Sequence, residues 1–169
     1  DCIAGRRCFA VGGTSGKTTI TAMLGWIFEQ LGEDPTVING APLLGWSDGD
    51  KIGNVRVGHS DIAVVEADES DRSLLEFNPE FSAISNITRD HFELEETFDL
   101  FRSFARKTKQ KVVCGPTVPL AKLEIGNACQ AQFEALDEGV FQYGGLRFEI
   151  GIPGEHNLEH ALVAVALCD

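Results

Sequence analysis

The segment Gly12-Gly13-Thr14-Ser15-Gly16-Lys17-Thr18-Thr19 constrains this chain more than any other stretch. Before it, Arg7 to Val11 reads as a short buried strand. After it, Ile20, Met23, Leu24, Ile27, Phe28 and Leu31 recur at three- and four-residue steps, the period of a helix that Gly32 closes. A strand, a glycine loop and a helix start in that order present unpaired N–H groups and a partial positive charge to an anion. Glycine lets the backbone wrap a phosphate closely. Gly13, Thr14, Ser15, Gly16, Lys17, Thr18 and Thr19 are therefore the expected nucleotide-binding residues. Lys17 would meet the terminal phosphates and the Thr18 hydroxyl a Mg²⁺ ion. The general G-x-x-x-x-G-K-[ST] pattern has a further glycine where this chain has Val11, so the loop is a variant with its glycine pair at Gly12 and Gly13.

The rest of the chain alternates strands and helices. Thr36–Ile38 reads as a second strand, 39–50 as a loop and Asn54–Val57 as a short edge strand. Asp61–Val65, ending in Glu66, and Phe81–Ser85, ending in Asn86, are continuous apolar runs of the kind buried in parallel sheets. Glu95–Arg106 has an amphipathic helical pattern with Phe98, Leu100, Phe101 and Phe104 as core. Lys111–Cys114 reads as a strand. Residues 117–139 are ambiguous, with a helix around Leu120–Ile125 and a strand near Gln132 favoured. Val140–Tyr143 and Leu146–Ile150 flank Gly144-Gly145 as a hairpin, and Glu155 to Leu167 reads as a last helix. The expected fold is α/β: a mostly parallel sheet like that of the P-loop NTPases, helices on both faces, and a small antiparallel element towards the C-terminal part.

Composition narrows the function. A formal net charge of -12 over 169 residues excludes a polymer of nucleic acid as the natural partner, since phosphate backbones need a basic stripe. No apolar run is long enough to span a bilayer, and no secretory signal is visible, so no membrane partner and a cytoplasmic location are expected. The five cysteines are scattered without a CxxC pair, which favours reduced, mostly packed thiols over a metal or redox site. Both ends look like cuts, one just before a strand and one inside a helical pattern, so flanking domains of a longer protein are expected.

Four segments carry a resemblance. Ala10 to Thr18 is similar to the phosphate loop of the Mur ligase superfamily. Glu66-Ala67-Asp68-Glu69-Ser70-Asp71 resembles the acidic run of its alanine-adding branch. Ser85-Asn86-Ile87-Thr88-Arg89-Asp90-His91 is similar to its T-N-I-x-x-D-H segment, and Gly154-Glu155-His156-Asn157 to its G-x-H-N segment. They occur in family order and span nearly the whole chain, which makes residues 1–169 resemble the central, ATP-binding domain. The chain departs from the pattern at His160, where a second Asn is usual, and at Phe92-Glu93-Leu94. Lys107 and Lys109 do not align with the lysine that some members carbamylate.

The resemblance implies a two-step ligation. ATP phosphorylates a carboxylate to an acyl phosphate with release of ADP; an amine then displaces phosphate to form an amide. The acceptor implied is a nucleotide-sugar acid, UDP-N-acetylmuramate, and the amine is an amino acid, L-alanine. A ligase that recycles murein peptides, a P-loop kinase or NTPase, and a nucleotide-binding module without catalysis are the alternatives. Thr18 and Glu66 are the natural Mg²⁺ ligands, because Glu66 ends a buried strand and ligands bind at the carboxyl ends of such strands. The family role for His91 is a metal or phosphate contact; its plain alternative is a helix cap. Lys17, Glu66 and His91 are thus the expected catalytic residues. Asn157 is expected either to cap its helix or to touch adenine, and Asn86 to orient the loop or touch the metal site. Asp68, Glu69 and Asp71 read foremost as a solvated face or caps, and Trp26 and Trp46 as core and loop packing.

Overall fold

A computed structural model describes residues 3–47, 52–89, 92–132, 134–137 and 139–169. Its main sheet has seven strands, in chain order β1 (Arg7–Gly12), β2 (Thr36–Ile38), β3 (Val55–Arg56), β4 (Ile62–Glu66), β5 (Phe81–Ile84), β6 (Lys111–Cys114) and β7 (Ala128–Gln130). Their spatial order is β3-β2-β4-β1-β5-β6-β7. Every neighbouring pair is parallel except β2 with β3, which closes one edge antiparallel. The central strands are apolar along their whole length because both faces are covered. Successive side chains point to opposite faces, and the core divides accordingly. Phe9, Val11, Val64, Ala83 and Val113 pack under α1 (Lys17–Gln30) and α4 (Glu155–Cys168). Cys8, Ala10, Val65, Ile84, Val112 and Cys114 pack under α2 (Leu94–Lys107) and the one-turn α3 (Leu120–Leu123).

The helices follow from their sequences. In α2, Phe98, Phe101 and Phe104 are all buried, while Glu95 and Glu96 occupy the first turn and Arg106 and Lys107 the last, each complementing the helix dipole. Helix α3 is shorter than the expected 120–125 because Glu124 adopts φ 54°, a left-handed conformation that ends the turn. The ambiguous stretch resolves into α3, β7 and β8 (Glu134–Asp137), so Gln132 lies between two strands rather than in one. Strand β8 pairs with β9 (Val140–Tyr143), which pairs with β10 (Leu146–Glu149), giving a second, antiparallel sheet. Phe141 of β9 joins the core beneath α4. The loop after β2 includes a single helical turn at Leu44–Trp46, whose Trp46 lies against Gly25 and packs on the core beneath α1. Burial pushes the thiols of Cys8 up to about 11 and of Cys114 and Cys168 up to about 12, so all three stay protonated and inert.

In β1, β4 and β5 register brings Val11 opposite both Glu66 and Ala83, and Gly12 opposite Ile84. The three chain segments that leave these strands, beginning at Gly12, Glu66 and Ser85, therefore emerge side by side at the carboxyl edge of the sheet.

Candidate functional site

The loop from Gly12 to Gly16 bends over that edge. Gly13 has φ 136°, and a Cβ built there would lie 1.9 Å from Ser85 Oγ. Gly16 has φ 80°, and a Cβ there would lie 2.1 Å from His160 Nε2. Both positions thus require glycine for conformation and for space. Gly16 stands immediately before α1, and no side chain caps that end of the helix. The first-turn N–H groups are left for a ligand, the arrangement that favours an anion.

Asn86 locks the loop from across the sheet. Its Oδ1 accepts from the Thr14 hydroxyl at 2.6 Å and from the Ser15 N–H at 3.0 Å. Its amide donates to Ser15 Oγ at 2.8 Å. The Ser85 hydroxyl donates to the Ser15 carbonyl at 2.5 Å, the Ser85 N–H to the Gly12 carbonyl at 3.0 Å, and the Thr88 N–H to Thr14 Oγ1 at 3.1 Å. Of the two roles expected for Asn86, orienting the loop is the one these bonds perform. A loop fixed in this way loses little further freedom on binding.

Four charged side chains, Lys17, Asp68, Glu69 and Glu66, gather beside it. The Lys17 ammonium donates to the Gly13 carbonyl at 3.0 Å and to Glu69 Oε2 at 2.8 Å, with Asp68 Oδ1 4.0 Å away. The Thr18 hydroxyl donates to Glu66 Oε1 at 3.0 Å, and Glu66 Oε2 accepts from the Gly40 N–H at 2.7 Å. Two of the expected metal ligands are thus in mutual contact. No group of three or more His, Cys, Asp or Glu side chains suited to a metal occurs among the described residues. Mg²⁺ does not need one: it favours one or two protein oxygens, with phosphate and water completing its octahedron. The Thr18 hydroxyl and the Glu66 carboxylate supply such a pair, so the residues present fit the ion.

The remaining expected residues divide. Thr19 lies half-buried in the first turn of α1, beside Thr18. Asn157 lies in the first turn of α4, but Gly154 holds the capping position and the Asn157 amide donates to the Pro153 carbonyl at 2.7 Å. The capping role is therefore not the one it plays. His91 lies outside the described residues. Glu69 corrects the expectation of a solvated acidic face: its side chain is 2% exposed. Stripping one partner from a buried pair like Lys17–Glu69 typically costs about 3–5 kcal/mol. Nothing in the sequence pattern signals this burial, because Glu69 lies beyond the end of β4 in a polar run. Asp71 keeps its expected local role, accepting from the Ser73 N–H at 2.8 Å; the Ser73 side chain foremost, and that N–H after it, hold its carboxyl below the usual range. His160, which the sequence left without a role, stands against Gly16 with its Nδ1 buried and unpartnered. Burial foremost, and His156 next to it, lower its pKa and keep the ring neutral. Trp26 is not core: it is 61% exposed and lines an apolar groove of about 1070 Å³ between α1 and the β9–β10 hairpin. That groove includes none of the expected site residues.

Residues 11–110 match the family model of the Mur ligase middle domain. The chain belongs to this family. The matched span includes Lys17, Thr18, Glu66, Glu69 and Asn86 and excludes the start of α4. The chain is 33% identical to the UDP-N-acetylmuramate–L-alanine ligase of Microcystis aeruginosa, in an alignment that takes in 98% of this chain and 38% of that ligase. It therefore spans well under half of that relative's length. Among solved Mur ligases, the UDP-N-acetylmuramate–alanine ligase of Thermotoga maritima superposes with a TM-score of 0.78 at 27% identity, over 96% of this chain and 41% of the other. The UDP-N-acetylmuramate:L-alanyl-gamma-D-glutamyl-meso-diaminopimelate ligase of Neisseria meningitides shares the fold with a TM-score of 0.83 at 22% identity, over 98% and 62% of the two chains. The Mur ligase assignment and the mostly parallel α/β fold agree with the expectations from the sequence.

Proposed function

We propose that this chain is the ATP-binding centre of an ADP-forming ligase of peptidoglycan synthesis, which joins L-alanine to UDP-N-acetylmuramate. The observation that carries the reading is the contact between Thr18 and Glu66, 3.0 Å apart at the first turn of α1, with the Lys17 ammonium on the same loop. Membership of the Mur ligase family and the ligase relatives support the reaction class. In the first step a carboxylate oxygen bonds the terminal phosphorus of ATP and ADP departs. In the second the amine nitrogen bonds the acyl carbon, phosphate departs and the amine sheds a proton.

The protein's part is positioning and charge neutralisation. Loop N–H groups from Gly13 to Thr19 would hold the phosphates, and Lys17 would balance charge on the transferring group. Thr18 and Glu66 would hold Mg²⁺, which when bound draws charge from the phosphate oxygens. His91 is proposed as a further metal or phosphate contact, and Asn157 as an adenine contact. Flanking domains of the full-length protein would bring the nucleotide sugar and the amino acid. No helix among the described residues is long and apolar enough to cross a membrane, and a cytoplasmic site of action is proposed.

The test is ADP release by protein carrying its flanking domains, given ATP, Mg²⁺ and UDP-N-acetylmuramate. Release that requires L-alanine and yields the amide is the expected result. Release that requires a murein peptide instead would mark a recycling ligase, and phosphorylation without any amine a kinase. Residues 1–169 alone should bind ATP without forming amide, since orientation of two substrates can account for roughly 7–11 kcal/mol of such a barrier.

A further inference from the structure

The sign of charge around the loop is unusual for a site that takes phosphates. Lys17 is the cation at its centre, yet Glu69 Oε2 lies 2.8 Å and Asp68 Oδ1 4.0 Å from its ammonium. Glu66 adds a third carboxylate, accepting from the hydroxyl of the next residue, Thr18, at 3.0 Å. Among the described residues, Lys17 is the ion-pair partner of both Asp68 and Glu69, and neither pairs with a second cation. Glu69 is 2% exposed, so water screens it poorly and its field acts on whatever occupies the loop. Asp68, with a side chain 51% exposed, is screened far more.

We propose that Glu69 sets the charge selectivity of this loop: by neutralising Lys17 it makes the site reject a free nucleotide polyanion and accept one whose phosphates arrive with a divalent cation. Glu69 acts through Lys17 and is in that sense a positioning residue. The ammonium donates to the Gly13 carbonyl and to Glu69, which leaves its third hydrogen for a phosphate oxygen. Glu69 thereby aims the lysine while cancelling its net charge. A metal–nucleotide complex carries less negative charge than the free nucleotide and brings its own cation to Glu66, so it meets the acidic surround at smaller cost. The inference rests on the proposed binding of nucleotide phosphates by this loop.

The test is calorimetric titration of this chain with ATP, once with Mg²⁺ and once with a chelator. Glu69→Gln keeps the side-chain shape and an acceptor for Lys17 but removes the charge. Metal-free affinity should rise about tenfold in that variant while affinity for the Mg²⁺ complex changes less than about threefold. Glu69→Asp should leave the ratio of the two affinities close to that of the parent. Asp68→Asn, at a screened position, should move the ratio the same way by about twofold, and it decides the matter should Glu69→Gln fail to fold. An unchanged ratio in Glu69→Gln, or in Asp68→Asn should Glu69→Gln not fold, or metal-free binding that weakens in Glu69→Gln, overturns the proposal and leaves Glu69 as a prop for the lysine. Absence of ATP binding by the parent chain in both titrations would remove the nucleotide reading itself, and this inference with it.

Discussion

The phosphate loop and the start of α4 both face the carboxyl edge of the sheet, but they are built in opposite ways. The loop is tied by residues far off in sequence: Ser85, Asn86 and Thr88 fasten Gly12, Thr14 and Ser15, and Glu69 fastens Lys17. The start of α4 is tied to itself. Asn157 bonds the Pro153 carbonyl four residues back, and the buried Nδ1 of His160 has no partner. A region held by long-range bonds is formed before any ligand arrives. A region with local bonds and a spare polar atom can still change partners at little cost. The contrast places the fixed geometry where phosphoryl charge would be handled and leaves adjustability beside it.

The sharpest way to break this contrast is to disturb the fixed half. Gly13→Ala puts a methyl where Ser85 Oγ now lies, at 1.9 Å, on a backbone with φ 136°. We expect a loss of about 2–4 kcal/mol in stability by urea unfolding; a loss below about 0.5 kcal/mol would show that the loop yields easily. Lys17→Ala removes the charged donor, and ATP affinity with Mg²⁺ should fall roughly thirtyfold by calorimetry, the value of a hydrogen bond to a charged group. Unchanged affinity would sink the assignment of this loop. Glu66→Ala should weaken ATP binding about tenfold with Mg²⁺ and hardly at all with chelator, because the carboxylate would serve the ion. Equal losses in the two titrations would count against Glu66 as a ligand.

The smallest effect is expected on the adjustable half. His160 has its pKa lowered below the ordinary 6.5, so the folded chain holds this proton less tightly than the unfolded chain does. Its contribution to stability is complete above about 6.5 and declines as pH falls from there towards the lowered folded value. In His160→Gln that decline is absent. Melting curves at neutral and mildly acidic pH should show the variant losing roughly 1–3 °C less than the parent. Equal losses would mean that His160 protonates freely where it stands.

The sequence alone was enough for the architecture and the loop. Runs such as Asp61–Val65 are apolar throughout because both faces of a parallel strand are covered, and that demand is visible in one dimension. The glycines at Gly13 and Gly16 and the lysine after them are legible as a pattern along the chain, although the side chains that leave room only for glycine there, Ser85 and His160, are distant in sequence. The region of 117–139 was less legible, since its elements are short and Glu124 ends α3 by a left-handed turn that propensity does not announce. Trp26 is not core because it lies off the apolar period of α1, which runs through Ile20, Met23, Leu24, Ile27 and Phe28, and faces the open groove beside the hairpin.

Tertiary structure alone decided the electrostatics. Glu69 sits in a polar run that reads as solvated, and only the parallel register of β1, β4 and β5 brings it against Lys17, 52 residues away in sequence. The same register delivers Asn86 to Thr14 across 72 residues and, through α4 packing on α1, His160 to Gly16. Burial and charge pairing are properties of what folds onto a residue, and a sequence pattern records only what stands beside it along the chain.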